Sequence, residues 1–168
     1  MSLALIFDMD GTLFQTNTIL EISLEDTFEL LRSQNRWHNE TPLKKYQEIM
    51  GVPLAIVWET LLPDETLAWR ERANAYFHER LIANINAGKG VLYPNTKELF
   101  LYLISKGHSL FIASNGQTEY LKTIVSYYGL DQWVTETFSI QQIHTQNKTD
   151  LVTEIINLHD ITNGVVIG

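Results

Sequence analysis

Cysteine is absent from this 168-residue chain, which excludes disulfides and thiolate metal sites and fits a reducing compartment. Basic runs are missing as well. Twelve Lys and Arg stand against twenty Asp and Glu, for a formal net charge of −8, so neither nucleic acid nor an anionic membrane is expected as a partner. No apolar run approaches the ~18 residues a membrane helix requires. The first apolar segment stops at Asp8, so no signal peptide is expected and the expected location is cytoplasmic. The five histidines, His38, His78, His108, His144 and His159, show no metal-ligand spacing. Internal repeats and low-complexity tracts are lacking. The rest of the composition is that of a globular protein, with 45% hydrophobic and 19% charged residues. The length suffices for a substantial core, with one domain plus an insert as the natural organisation.

Two carboxylates close together set the chemistry. Ala4-Leu5-Ile6-Phe7 is a continuous apolar run, as expected of a strand buried on both faces. It leads into Asp8-Met9-Asp10-Gly11-Thr12, so both acids belong at the strand's carboxyl end, where open parallel sheets bind ligands. Side chains two apart on a strand share a face, which would give Asp8 and Asp10 one pocket and turn Met9 away. Crowded carboxylates call for a divalent cation or a retained proton, hence Mg²⁺ or a nucleophile beside an acid. Asp and Gly are also ordinary turn residues. Average residue usage, however, yields Asp-x-Asp-Gly-Thr in a chain of this length on the order of once per thousand sequences.

Three further segments have the same strand-end character. Ser109–Ala113 reads as a strand running into Ser114-Asn115-Gly116. A helix follows, with Tyr120, Leu121, Ile124, Val125 and Tyr128 at helical spacing and Gly129 as its stop. A hydroxyl and free N–H groups at such a junction form an anion site, although Ser114 or Asn115 would equally serve as a plain helix cap. Lys148 precedes the stripe Leu151, Ile155, Leu158 of a helix starting near Thr149. A lysine at a helix start is disfavoured by the macrodipole, which hints at another use. Gly164–Ile167 reads as a fourth buried strand.

FDMDGTL resembles the first motif of the haloacid dehalogenase-like hydrolases, most of which are Mg²⁺-dependent phosphatases. The resemblance implies that Asp8 attacks phosphorus to form an aspartyl-phosphate, and that Asp10 protonates the leaving group and then activates water. It places Ser114, with Asn115 adjoining, in the second, phosphate-binding motif, and Lys148 in the third, where it neutralises nucleophile and phosphate. Lys148-Thr149-Asp150 departs from the Lys-Pro pair of many members. The family's fourth motif is Gly-Asp with a second acid nearby, completing an Mg²⁺ site to which Asp8 and Asp10 also contribute. Only its Gly168 is here, so the residues given are expected to be part of a longer chain, with the last core strands and metal ligands beyond Gly168.

The stretch between the first two strands has helical character throughout. A pattern over residues 17–36 is followed by one from Pro42 to Met50, stopped by Gly51, and one from Pro53 toward Leu62. A last pattern opens at Pro63-Asp64 and carries Trp69, Ala73, Phe77, Leu81 and Ile85 as one buried stripe. Four such helices resemble the cap of the family's phosphoglycolate-phosphatase-like and phosphomutase-like branch, with substrate choice expected around Gly51-Val52-Pro53. From Pro94 a helix runs through Leu99 and Leu103 to Gly107. Strands at 3–7, 109–113, roughly 137–140 and 164–167 alternate with helices, which implies an α/β fold with a Rossmann-like parallel sheet. By family analogy the strand order is fourth-first-second-third. The expected domains are a catalytic core of residues 1–14 and 91–168 and a helical cap of residues 15–90. The expected function is hydrolysis of a small phosphorylated metabolite by a monomer or weak homodimer. A sugar phosphomutase and a non-catalytic phosphate-ligand binding protein are the alternatives. Phe14-Gln15-Thr16-Asn17 lacks the Asp-Thr and nearby His of the mutases.

Overall fold

A computed structural model describes all of residues 1–168. The chain forms two compact units, one made of Met1–Thr16 with Gly88–Gly168 and the other of Asn17–Ala87.

The first unit is built on four parallel strands, β1 (Ala4–Phe7), β2 (Ser109–Ser114), β3 (Val134–Ser139) and β4 (Gly164–Ile167), in the spatial order β3-β2-β1-β4. That is the order expected from the sequence. All four residues of β1 are buried, which is why its sequence is uninterrupted rather than alternating. Three helices belong to this unit: α5 (Thr96–Ser105), α6 (Thr118–Tyr128) and α7 (Lys148–Leu158). On one face of the sheet Ala4, Ile6, Phe111, Ala113 and Phe138 pack with Leu151 and Ile155 of α7. Phe7 meets the ring of Phe100, from α5, at 5.2 Å. Gly129 ends α6 in the left-handed conformation, with φ 66°, which a glycine adopts without the Cβ penalty. Outside the strands, Gln15 N–H donates to Val91 O (2.8 Å) and Tyr93 N–H to Leu13 O (2.9 Å). The segment leaving β1 and the one approaching α5 are thereby tied together.

The second unit holds α1 (Asn17–Ser33), α2 (Leu43–Glu48), α3 (Leu54–Leu61) and α4 (Leu67–Asn86). Phe28, Trp58 and Phe77 form its aromatic centre, with Trp58 edge-on to Phe77 at 5.8 Å. The Trp58 indole N–H donates to Asn74 Oδ1 (2.8 Å), giving the buried ring the partner its polar edge needs. Between α1 and α4 lies a polar cluster in which Ser23 and Asn84 are buried and Asp26 and Arg80 partly exposed. Asn84 donates to Ser23 Oγ and to Asp26 Oδ2, both at 3.0 Å, and Arg80 Nε donates to the same Asp26 oxygen at 2.9 Å. Burial would otherwise be costly for Ser23 and Asn84. Asp26 accordingly holds the Arg80 guanidinium above its ordinary pKa.

Five sequence expectations need correction. Strand β4 is not buried: Gly164, Val165 and Val166 are exposed, because β4 lies at the edge of the sheet beside β1 alone. The third strand begins at Val134 and ends at Ser139, and Ile140 opens a short 3₁₀ turn instead of closing the strand. Thr135 and Glu136 are exposed on this edge strand, which hid its first half from a search for apolar runs. Helix α4 starts at Leu67, not at Pro63-Asp64, because the Thr66 hydroxyl accepts from Trp69 N–H and sets the helix start. Trp69 is absent from its buried stripe. Its ring lies between the guanidinium groups of Arg36 (4.7 Å) and Arg72 (5.0 Å), a cation–π arrangement at the surface. Helix α5 starts at Thr96, after Asn95 in the left-handed conformation (φ 64°).

Candidate active site

Asp8 follows directly on β1, and its N–H donates to Ile167 O at 2.8 Å, which carries the β1–β4 ladder one step further. Beyond it the chain turns back. The Met9 carbonyl accepts from the N–H groups of Thr12, Leu13 and Phe14, and Gly11 adopts φ 75°. Met9 is fully buried. Asp10 is thus in a turn, where it forms an isolated bridge with Phe14, rather than on the pleat of a longer strand. The two acids are nevertheless close enough for the Asp8 charge to act on Asp10.

Lys148, the first residue of α7, reaches Asp8 with Nζ 2.8 Å from Oδ1. A cation at a helix start meets an unfavourable dipole. Here a carboxylate compensates it. Both side chains keep partial solvent access, 34% for Lys148 and 24% for Asp8, so the pair remains within reach of a small ligand.

Asp10 is held differently. Tyr120 Oη donates to Asp10 Oδ1 at 2.6 Å, and Thr16 Oγ1 donates to the same oxygen at 2.7 Å. Burial raises the Asp10 pKa above its ordinary 3.8; the Tyr120 and Thr16 hydroxyls pull it back, the Asp8 charge adds to the rise, and Lys148 opposes it. The net direction is upward, so removal from water outweighs the two hydrogen bonds.

Ser114 ends β2 and is fully buried. Its Oγ accepts from Gly116 N–H at 3.0 Å, and Asn115 is exposed in the loop between them. This loop is braced from β3. Ser139 Oγ donates to Gly116 O (2.6 Å), Gln141 Oε1 accepts from Thr118 N–H (2.8 Å), and Ser139 with Gln142 forms a reciprocal capping box. Thr16, Ser139 and Gln141 escaped the sequence reading, and Tyr120 entered it only as part of an apolar stripe. The signal available was the pairing of a phenol and a hydroxyl with an acid, which only the tertiary fold brings together.

Two acids, one lysine and a strand-end loop are thus gathered at the carboxyl ends of β1 and β2. Residues 5–167 match the family model of the haloacid dehalogenase-like hydrolases. The chain belongs to this family. It is 26% identical over 145 residues to phosphoglycolate phosphatase of Pasteurella multocida (strain Pm70), a match covering 82% of this chain and 62% of that protein. A similar match, 28% over 154 residues, links it to phosphoglycolate phosphatase of Haemophilus influenzae (strain 86-028NP). The chain therefore spans about three fifths of the length of these curated relatives. Among solved structures, CbbY from Rhodobacter sphaeroides in complex with phosphate shares its fold, with TM-score 0.77 and 16% identity over 99% of this chain and 77% of the other.

No group of three or more His, Cys, Asp or Glu in the structure forms a metal cage. A hard cation that keeps most of its waters needs less than that. Oxygen donors of Asp8 and Asp10 suit such an ion. Beside them the backbone at Gly168 comes so close that a Cβ there would lie 2.8 Å from Asp8 Cβ. The residues present therefore fit Mg²⁺ at the level of donor chemistry. No helix is long and apolar enough to cross a membrane.

Proposed function

We propose that this chain carries the phosphoryl-transfer site of a phosphatase acting on a small phosphomonoester. The observation that carries the reading is the pairing of Lys148 Nζ with Asp8 Oδ1 at 2.8 Å, beside an acid whose pKa burial raises. Asp8, paired with Lys148, is the nucleophile; Asp10 is suited to hold a proton and is the acid. In the first step an Asp8 oxygen attacks phosphorus, the P–O ester bond breaks with its electron pair on the leaving oxygen, and Asp10 gives that oxygen its proton. In the second step Asp10 takes a proton from water as the water oxygen attacks phosphorus, which frees Asp8 and inorganic phosphate. Lys148 offsets the charge that accumulates between Asp8 and the phosphoryl oxygens. Ser114 and Asn115 are in the phosphate-binding segment at the end of β2. The Asp8 carboxylate and the Asp10 backbone carbonyl would hold Mg²⁺, which would supply charge neutralisation there.

Residues 17–87 are proposed as the substrate-selecting cap of the phosphoglycolate-phosphatase-like branch. The phosphatase reading is preferred over a mutase because the Gln15 side chain, in the segment where mutases carry Asp-Thr, donates to Leu92 O at 3.1 Å and braces the linker. Phosphate release from a panel of phosphomonoesters with Mg²⁺, in the complete protein, tests the reading. Asp8→Asn should lower turnover by at least ~10³-fold while leaving the fold intact. A variant keeping more than about a tenth of the activity means that Asp8 is not the nucleophile.

A further inference from the structure

We propose that Tyr120 is a positioning residue that fixes which oxygen of Asp10 exchanges protons with the substrate. The assignment rests on the phosphatase reading above and extends it to a residue outside the four motifs. Oδ1 of Asp10 receives two O–H donors, Tyr120 at 2.6 Å and Thr16 at 2.7 Å. A carboxylate oxygen has two in-plane lone pairs, and both are taken. A proton on Oδ1 would force one hydroxyl to turn and accept, leaving Thr16 only its longer contact with Phe14 O at 3.3 Å, so Oδ2 is the oxygen that carries it. With the proton on Oδ2, Oδ1 is the carbonyl oxygen and still accepts both hydrogen bonds. After transfer it accepts the same two. One clamp therefore serves both protonation states and needs no rearrangement between the two chemical steps, the kind of preorganisation that aids catalysis.

The tyrosine is itself fixed. It is buried in the first turn of α6, and its ring meets Phe14 edge-on at 6.5 Å. A Cβ at Gly116 would stand 3.0 Å from Tyr120 Cδ1, so the absence of a side chain at 116 leaves room for the ring. Phe14 belongs to the turn that carries Asp10, and Gly116 belongs to the strand-end loop. The ring thus sits between the two segments that the chemistry must align. In the step it positions, the Oδ2–H bond of Asp10 breaks, an O–H bond forms on the leaving alcohol, and the ester P–O bond cleaves with its electron pair going to that oxygen.

The test is kcat/KM of the complete protein with Mg²⁺ across phosphomonoesters from alkyl phosphates to p-nitrophenyl phosphate, with thermal unfolding as the control for folding. Tyr120→Phe keeps the ring and removes the donor. It should lower kcat/KM ~10-fold to ~100-fold for alkyl phosphates, whose leaving groups need the proton, and less than ~3-fold for p-nitrophenyl phosphate. Thr16→Val removes the other donor to the same oxygen and should steepen the leaving-group dependence in the same way, with Thr16→Ser restoring it. Equal losses across all leaving groups, or no loss, in an active protein would overturn the role of Tyr120 and leave the phosphatase reading standing. A wild-type protein that releases phosphate from no ester would overturn both.

Discussion

At Asp10 two effects oppose each other, and the sign of their difference is measurable without substrate. Burial, reinforced by the Asp8 charge, raises its pKa against the pull of Tyr120, Thr16 and Lys148. The native state thus keeps a proton at pH values where the unfolded chain, titrating near 3.8, has released it. Stability contributed by this group is fully present below that ordinary value, falls as pH rises through the native value, and stays low above it. Asn at position 10 has no such penalty and still offers an oxygen to the Tyr120 and Thr16 hydroxyls. Asp10→Asn should therefore be more stable than wild type in EDTA at neutral pH, with the gain shrinking as pH falls toward the ordinary value near 3.8. Urea denaturation across that range reads the difference, and a gain independent of pH would contradict the raised value.

The elements carry a second cost, in the polar cluster between α1 and α4. Asn84 is buried and donates to both Ser23 Oγ and Asp26 Oδ2. Its truncation removes the donor and leaves the buried Ser23 hydroxyl without this partner, a penalty of about 1–3 kcal/mol. Asn84→Ala should lower the urea midpoint accordingly, whereas Glu79→Ala, at an exposed position of the same helix, should leave it near wild type. This cluster was not legible in the sequence, where Asn84 falls beside the stripe Ala73, Phe77, Leu81, Ile85 without announcing a partner. The elements themselves were more legible. Gly107 and Gly129 terminate helices with positive φ, and β1 and β2 are short apolar runs whose burial keeps them uninterrupted, whereas β4 is an equally apolar run that lies exposed at the sheet edge. Strand β3 was half hidden because an edge strand tolerates polar residues such as Thr135 and Glu136. The same contrast holds at the site. Asp8, Asp10, Ser114 and Lys148 stand at strand ends and helix starts, positions that sequence patterns mark. Thr16, Tyr120 and Ser139 act through contacts between distant segments, which no local pattern encodes.

At the scale of the molecule, the question is whether the helical unit is needed for the core to fold. The core closes on itself around the insertion: Phe14 bridges Leu92 antiparallel, Gln15 N–H donates to Val91 O, and Tyr93 N–H donates to Leu13 O. Gln15 and Val91, close in sequence to the core ends at Thr16 and Gly88, are therefore hydrogen-bonded to each other, the situation in which insertions and deletions are tolerated. The ion pair of Lys148 with Asp8 and the Tyr120 and Thr16 bonds to Asp10 also lie within the core unit. Replacing residues 17–87 in the complete protein by a short Gly-Ser linker should leave a folded α/β core, seen as a cooperative thermal transition. If residues 17–87 select the substrate, that core should still hydrolyse p-nitrophenyl phosphate slowly but lose most discrimination among physiological phosphomonoesters, because the reacting groups remain and the selecting surface is gone. An unchanged ranking of substrates by kcat/KM after the deletion would place specificity in the core, and the cap assignment would have to be withdrawn.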